Sequence, residues 1–298
     1  MENTHNVGFY SKDNCIYFAK FLNLDKIKKN LGVYLMEILK TIAIKRYEDG
    51  HQFSKNDLVI LESRVNIYLN GEKIISTMCI PMDQDAHAIG FLLSEGVIDG
   101  IGDLDLIEVS EDGLNVKIQA RVNQANLKNL YKEKTLVSGC GGGISGNIQD
   151  NIEVPFNTSD LQVNPKRILK NITQFYKESE LYLQTGCVHK AMLLFENDAK
   201  IVSEDIGRHN AIDKVAGKAK MNELDVCRAI LMVSGRLSSE MVIKAVMHHI
   251  PIVVSRTAPT FLGVKTAQIH GITLIGFARG KGMNIYTHPS RILNEETL

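Results

Sequence analysis

The chain has 298 residues, enough for about two domains at roughly 150 residues each. Hydrophobic residues make up 44% and charged residues 23%, a mixture that can bury a core and excludes a disordered chain. Lys plus Arg and Asp plus Glu are both 34, a balance that argues against bulk attraction to nucleic acid or an anionic membrane but leaves room for a local basic pocket.

No apolar run approaches the length of a spanning helix. Met1 to Asn14 is polar and lacks a signal-peptide core, so a cytoplasmic location is expected. Residues 1–50 form an N-terminal extension to which the sequence assigns no chemistry. A helix is expected over Ile27 to Leu39, with Lys28, Lys29 and Asn30 on its solvated side.

Residues 51–134 read as a β-rich N-terminal domain. Val65, Ile67 and Leu69 alternate, Asn70-Gly71 supplies a tight turn, and Ile74 to Ile80 forms the return strand. Asp83 is placed to cap a helix over about 84 to 95, with Ala86, Ile89 and Leu93 on one face and Gly96 at its end. A second hairpin pairs Leu104, Leu106 and Glu108 with Leu114, Val116, Ile118 and Ala120 across Asp112-Gly113. Residues 135–160 are a glycine-rich loop and linker. Five of the eight residues from Gly139 to Gly146 are glycine, and Cys140 sits among them.

Residues 161–298 read as α/β. Asn164 caps a helix opened by Pro165, whose apolar face is Ile168, Leu169, Ile172, Phe175 and Tyr176. A hairpin follows, Met192 to Phe195 and Ala199 to Val202 around Asn197-Asp198. Then helices at 210–220, 239–249 and 260–270 alternate with apolar strands at 229–233, 251–255 and 272–276. That alternation predicts a mostly parallel sheet covered on both faces.

Ligands of open α/β sheets bind beyond the carboxyl ends of the strands. Four segments leave those ends, and each carries an arginine: Arg208, Arg236, Arg256 and Arg279, the last followed by Lys281. A single loop arginine is more often solvated or locally paired. Four in successive strand-following loops point to a shared site for a polyphosphorylated or nucleotide-like ligand, since guanidinium forks onto phosphate.

The five cysteines, Cys15, Cys79, Cys140, Cys187 and Cys227, are scattered without a C-x-x-C, which argues for free thiols and against structural zinc. Cys79 and Cys227 read as packing residues. A cysteine at the tip of a glycine loop is accessible, and backbone N–H groups can turn toward its sulfur. That suits a carrier holding sulfur as a persulfide, although composition by itself favours an unreactive loop cysteine.

Taken together these segments resemble the formate dehydrogenase accessory sulfurtransferase family, FdhD, over about residues 60 to 293. The blocks are Gly90 to Gly96, the Cys140 loop, Thr185 to His189, Glu204 to Val215, Val233 to Arg236, Thr257 to Thr260, Gly276 to Gly280 and Tyr286 to Pro289. The order of elements in the second half also resembles the cytidine-deaminase-like fold, a three-layer α/β domain. The family resemblance implies a cytoplasmic homodimer. It would accept sulfur from a cysteine desulfurase as a persulfide and pass it to the molybdenum bis(molybdopterin guanine dinucleotide) cofactor, bound as substrate, for use by formate dehydrogenase. It places the reactive cysteine at Cys140 and cofactor contacts at Phe277, Ala278, Arg279, Gly280, Lys281 and Gly282. Arg208, Arg236 and Arg256 join them through the rim argument, and His209 is read either as orienting a phosphate or polarising a group near the sulfur, or as a hydrogen-bonding residue of the helix start.

The chain departs from the family pattern at Gly143, where many members carry a second loop cysteine. Cys187, where glycine is usual, is the candidate replacement as resolving thiol. His189 and His288 stay unassigned. Two other readings remain. One is a chaperone that holds the cofactor without transferring sulfur. The other is a zinc nucleoside deaminase, which needs three metal ligands at two helix starts; His209-Asn210-Ala211 and Ser234 to Glu240 do not offer them. No intrinsic metal is expected, and no nucleic-acid or membrane partner.

Overall fold

The computed structural model describes residues 38–130, 154 and 156–294. It begins with a long antiparallel hairpin, β1 (Leu39–Glu48) and β2 (His51–Ile60), largely exposed on both faces. Leu39 therefore opens a strand instead of ending a helix, and the β-rich part of the chain starts before residue 51. Residues 27–37 of the expected helix, with Lys28, Lys29 and Asn30, lie outside the described residues.

A four-stranded sheet follows, in the order β4-β3-β6-β5: β3 (Ser63–Leu69), β4 (Glu72–Cys79), β5 (Leu104–Val109) and β6 (Asn115–Ala120). Val65, Ile67 and Leu69 are all buried, as their alternation requires. Asn70 and Gly71 turn with φ of 51° and 89°, the geometry of a type I′ hairpin. An irregularity between Leu104 and Leu106 makes Ile107, rather than Leu106, the second buried residue of β5.

Helix α1 (Gln84–Ser94) covers this sheet. Its Asp83 does not cap it through the side chain. The residue takes a left-handed conformation, and its carboxylate instead pairs with Lys218 at 2.6 Å. Residues Ala86 to Ser94 are all buried, not one face only, because the other side of α1 meets α5 (Arg208–Met221). The crossing is close. A Cβ at Gly90 would lie 1.9 Å from the Asp213 carbonyl oxygen, and one at Gly217 would lie 1.9 Å from that of Ala86. A short helix, α2 (Gln124–Leu130), ends this part.

The second half holds a six-stranded sheet in the order β12-β11-β10-β9-β7-β8. Its strands are β7 (His189–Phe195), β8 (Lys200–Asp205), β9 (Ala229–Val233), β10 (Ile252–Ser255), β11 (Thr273–Arg279) and β12 (Gly282–Ile285). The α/β class holds, but the sheet is mixed where a mostly parallel one was expected. Only β9-β10 and β10-β11 pair in parallel; the hairpins β7-β8 and β11-β12 and the β7-β9 pair are antiparallel. A short turn, of two residues between β11 and β12 and four between β7 and β8, can join only antiparallel neighbours, so each hairpin reverses one strand.

Both faces are covered. Helices α5, α6 (Ser239–Met247) and α7 (Phe261–Ile269) bury one face with Ile212, Val215, Val242 and Ala267. Helix α3 (Pro165–Lys177) buries the other with Ile168, Ile172 and Phe175. Its N-cap is as expected, with Asn164 accepting from the Lys166 amide. A short α4 (Glu180–Thr185) precedes β7.

Candidate functional site

Strands β8, β9, β10 and β11 all run the same way, since β8 and β9 are both antiparallel to β7. Their carboxyl ends therefore reach one edge of the sheet. The loops that leave that edge bring Arg208, Arg236, Arg256 and the Phe277-to-Gly282 turn to the same rim.

The first loop is shaped by one carboxylate. Asp205 Oδ1 accepts from the Gly207 amide at 2.8 Å and from Asn210 Nδ2 at 2.9 Å. Its Oδ2 accepts from the Ile80 amide at 3.0 Å and from Lys214 Nζ at 2.6 Å. Lys214 also donates to the Ile80 carbonyl at 2.9 Å. Both charged side chains are fully buried. The end of the first sheet is thus plugged into the turn that starts α5. Arg208 is the first residue of α5 and is largely buried, its methylenes packed on Gly235, where an added Cβ would come 3.0 Å from Arg208 Cδ. It lies across the loop after β9 rather than reaching freely into solvent.

His209 is buried beside it, with Nε2 3.2 Å from Glu240 Oε2 on α6. Burial lowers its pKa, opposed by the Glu240 hydrogen bond. A second ion pair lies deeper: Lys244 Nζ is 2.8 Å from both Asp213 oxygens and 3.0 Å from Ser94 Oγ. Burial opposes ionisation of Asp213, but Lys244 and His248 outweigh it and hold its pKa well below the usual carboxylate range.

The remaining loops are stitched together. The Gly235 carbonyl accepts from Ser255 Oγ at 2.9 Å and from Thr257 Oγ1 at 2.7 Å. The Phe277 amide donates to the Thr257 carbonyl at 3.1 Å. Arg256 is exposed and its guanidinium stacks on the Tyr176 ring at 4.5 Å. The β11-β12 register shifts between Gly276 and Arg279, and Phe277 takes a φ of 51° inside that irregularity. Phe277 and Arg279 face outward, while Ala278 is fully buried in the core and offers a ligand only its backbone. Gly280 (φ 58°) and Lys281 make the turn to Gly282, and all three are exposed. Among the described residues, no acid pairs with Arg236, Arg256, Arg279 or Lys281.

Of the predicted residues, the structure brings together Arg208, His209, Arg236, Arg256 and the Phe277-to-Gly282 turn at one edge. Cys140, Gly143 and the glycine loop lie outside the described residues. Cys79 is buried, but Cys227 is exposed in a turn, against its expected packing role, because Asp225 caps that turn and holds the thiol outward of β9. Cys187 is an exposed free thiol near the rim. His288 is bound to the Gln268 carbonyl at 3.0 Å, away from the arginines' loops. Sequence reasoning gave Tyr176 only a place on the apolar face of its helix and gave Glu240 no role, since each meets its partner, Arg256 and His209 respectively, only across elements. Among the described residues, no group of three or more His, Cys, Asp or Glu side chains could hold a metal ion. No helix among them is long and apolar enough to cross a membrane.

Comparison with known proteins agrees with this organisation. Residues 60–293 match the model of the FdhD/NarQ family. The chain is 53% identical over 255 residues to the sulfur carrier protein FdhD of Wolinella succinogenes, covering 85% of this chain and 89% of the relative. It is 32% identical over 254 residues to the sulfur carrier protein FdhD of Staphylococcus aureus strain MRSA252, covering 85% and 96%. Its fold matches the crystal structure of a protein assigned as a formate dehydrogenase accessory protein from Desulfotalea psychrophila. There the TM-score is 0.73, with 28% identity, and the match covers 86% of this chain and all of that one.

Proposed function

The chain belongs to the FdhD/NarQ family, and from that membership and the arginine rim we propose that it is a sulfur carrier serving formate dehydrogenase. In this reading Cys140 is the acceptor. Its thiolate attacks the outer sulfur of a cysteine desulfurase persulfide, the desulfurase cysteine leaves as thiolate, and Cys140 keeps the transferred sulfur as its own persulfide. The recipient is the molybdenum bis(molybdopterin guanine dinucleotide) cofactor, a substrate here and not a resident group. The protein acts as a cytoplasmic homodimer.

The observation that carries this reading is the set of cations at the shared strand edge with no acidic partner among the described residues. Arg236, Arg256, Arg279 and Lys281 are exposed, and their loops are hydrogen-bonded to one another. A dinucleotide-bearing ligand carries diphosphates, and guanidinium binds them in bidentate fashion. The backbone of the Gly280-Lys281 turn, free of bulky side chains at Gly280 and Gly282, can approach a phosphate closely.

The test is incubation of the full chain with a cysteine desulfurase and cysteine, followed by peptide mass spectrometry. One added sulfur is expected on the Cys140 peptide. A Cys140→Ala variant should lose both that sulfur and the ability to activate formate dehydrogenase. If the variant still activates the enzyme, a cofactor-holding chaperone without sulfur transfer replaces this reading.

A further inference from the structure

An arginine that moves freely in water surrenders rotamer entropy when it binds a phosphate, and that loss weakens the contact. A carboxylate partner would fix the side chain beforehand. It would also neutralise the charge and occupy N–H donors that the phosphate needs. An aromatic face restrains the guanidinium through the ring quadrupole and leaves its charge and its N–H donors in place.

Arg256 is held in this second way. Its Cζ lies 4.5 Å from the centroid of the Tyr176 ring, and among the described residues no acid pairs with it. Its backbone is fixed on both sides, since the hydroxyls of Ser255 and Thr257 both donate to the Gly235 carbonyl. The ring is anchored in turn. Tyr176 is half-buried near the end of α3 and packs against the core that this helix forms with the sheet. Phe175 meets it edge-on, with ring centroids 5.0 Å apart and planes at 83°. The Tyr176 hydroxyl donates to the Val233 carbonyl at the end of β9 over 3.4 Å, a long and weak bond. A helix that covers one face of the sheet thus lends a platform to a loop of the rim. Arg279 has a similar neighbour, its Cζ lying 5.9 Å from the centroid of the Phe277 ring.

We propose that Tyr176 is a positioning residue of the rim: its ring holds the Arg256 guanidinium in place for the ligand's phosphate without neutralising it. This deepens the reading of the rim as a phosphate site and rests on that reading.

Inorganic pyrophosphate is the probe, because it presents a diphosphate without a base or sugar to touch the ring itself. Binding to the full chain is measured by calorimetry at fixed salt. Tyr176→Leu, which removes the ring and keeps an apolar side chain, should weaken pyrophosphate about fivefold, the size of a cation–π contact. Tyr176→Phe should bind like the parent, since the ring stays and only the long hydroxyl bond goes. In the Arg256→Ala protein, Tyr176→Leu should change nothing further, because the ring acts only through that guanidinium. The same loss with and without Arg256 would show a merely structural ring and overturn the proposal. Unchanged affinity in Tyr176→Leu would overturn it too, with the arginine reading intact. If the parent binds neither pyrophosphate nor guanosine diphosphate, the arginine reading falls and this proposal with it. A further check does not depend on the leucine variant folding. The chain has no tryptophan, so Tyr176→Trp introduces a single indole. Its emission should change when Arg256→Ala is added; unchanged emission would mean that the guanidinium does not rest on this ring, and would overturn the proposal.

Discussion

Lys214→Met is the most demanding test of how the rim is held in shape. Lys214 and Asp205 are fully buried, with Nζ and Oδ2 2.6 Å apart. Methionine has nearly the same length and fills the space of the lysine stem, so the change removes charge and two hydrogen bonds with little loss of packing. Asp205 then keeps the donors at Ile80, Gly207 and Asn210 but has no countercharge. Breaking a buried pair from one side costs about 3–5 kcal/mol, because the surviving charge stays out of water. That is a large part of the roughly 5–15 kcal/mol that holds a typical domain together. Urea unfolding followed by far-ultraviolet circular dichroism measures the loss. The double variant Asp205→Asn with Lys214→Met, which leaves no buried charge, should lose less than the sum of the two single variants by about 2 kcal/mol or more. Hydrogen exchange at the Gly207 and Arg208 amides should quicken in Lys214→Met, since their turn is anchored by the same carboxylate. A loss below about 1 kcal/mol for Lys214→Met, with no coupling in the cycle, would refute the claim that this pair organises the junction.

Other consequences are equally direct. Burial, then the Lys214 charge, pushes the His87 pKa down from 6.5 to about 4. The unfolded chain therefore takes up this proton before the folded one does. Its contribution to stability is complete above about pH 6.5 and declines as pH falls toward 4, by about 3 kcal/mol across the window. Urea midpoints measured from pH 7 to 4 should show this fall, and His87→Gln should flatten it; an unchanged slope would acquit His87. Gly90→Ala should cost about 3 kcal/mol or more, because its Cβ would overlap the Asp213 carbonyl and force α1 off α5; a thermal melt within a degree of the parent would contradict the crossing. Arg256→Ala should weaken guanosine diphosphate binding by about 1–3 kcal/mol, read by calorimetry at fixed salt. Equal affinity in parent and variant would remove Arg256 from the site.

Local patterns announced most of the elements. The alternation of Val65, Ile67 and Leu69, the Asn70-Gly71 turn and the Asn164-Pro165 helix start all appear as read, because each depends on neighbours in sequence. Strand direction was less legible. Apolar runs such as 229–233 look the same in parallel and antiparallel sheets, so the mixed sheet could not be told from a mostly parallel one. The β1-β2 hairpin escaped because Ile42, Tyr47, Phe53 and Leu58 are exposed and leave no buried face to set a period. Asp83 was misread as a cap, since its partner Lys218 lies far along the chain.

The arginines after β8, β9, β10 and β11 show the same division. Their types and their places after apolar strands are written in the order of residues, and so is the family to which the chain belongs. Their convergence on one edge required the strands to share a direction and the loops to bond to one another. Arg208 turned inward onto Gly235, Arg256 came to rest on Tyr176, and His209 met Glu240 through contacts between separate elements. Identity and local conformation follow from short-range sterics and hydrogen bonding, which act within a few residues. Which charges are buried, paired or left facing solvent follows from packing between segments more than a hundred residues apart, as at Ile80 and Asp205, and only the assembled fold brings those together.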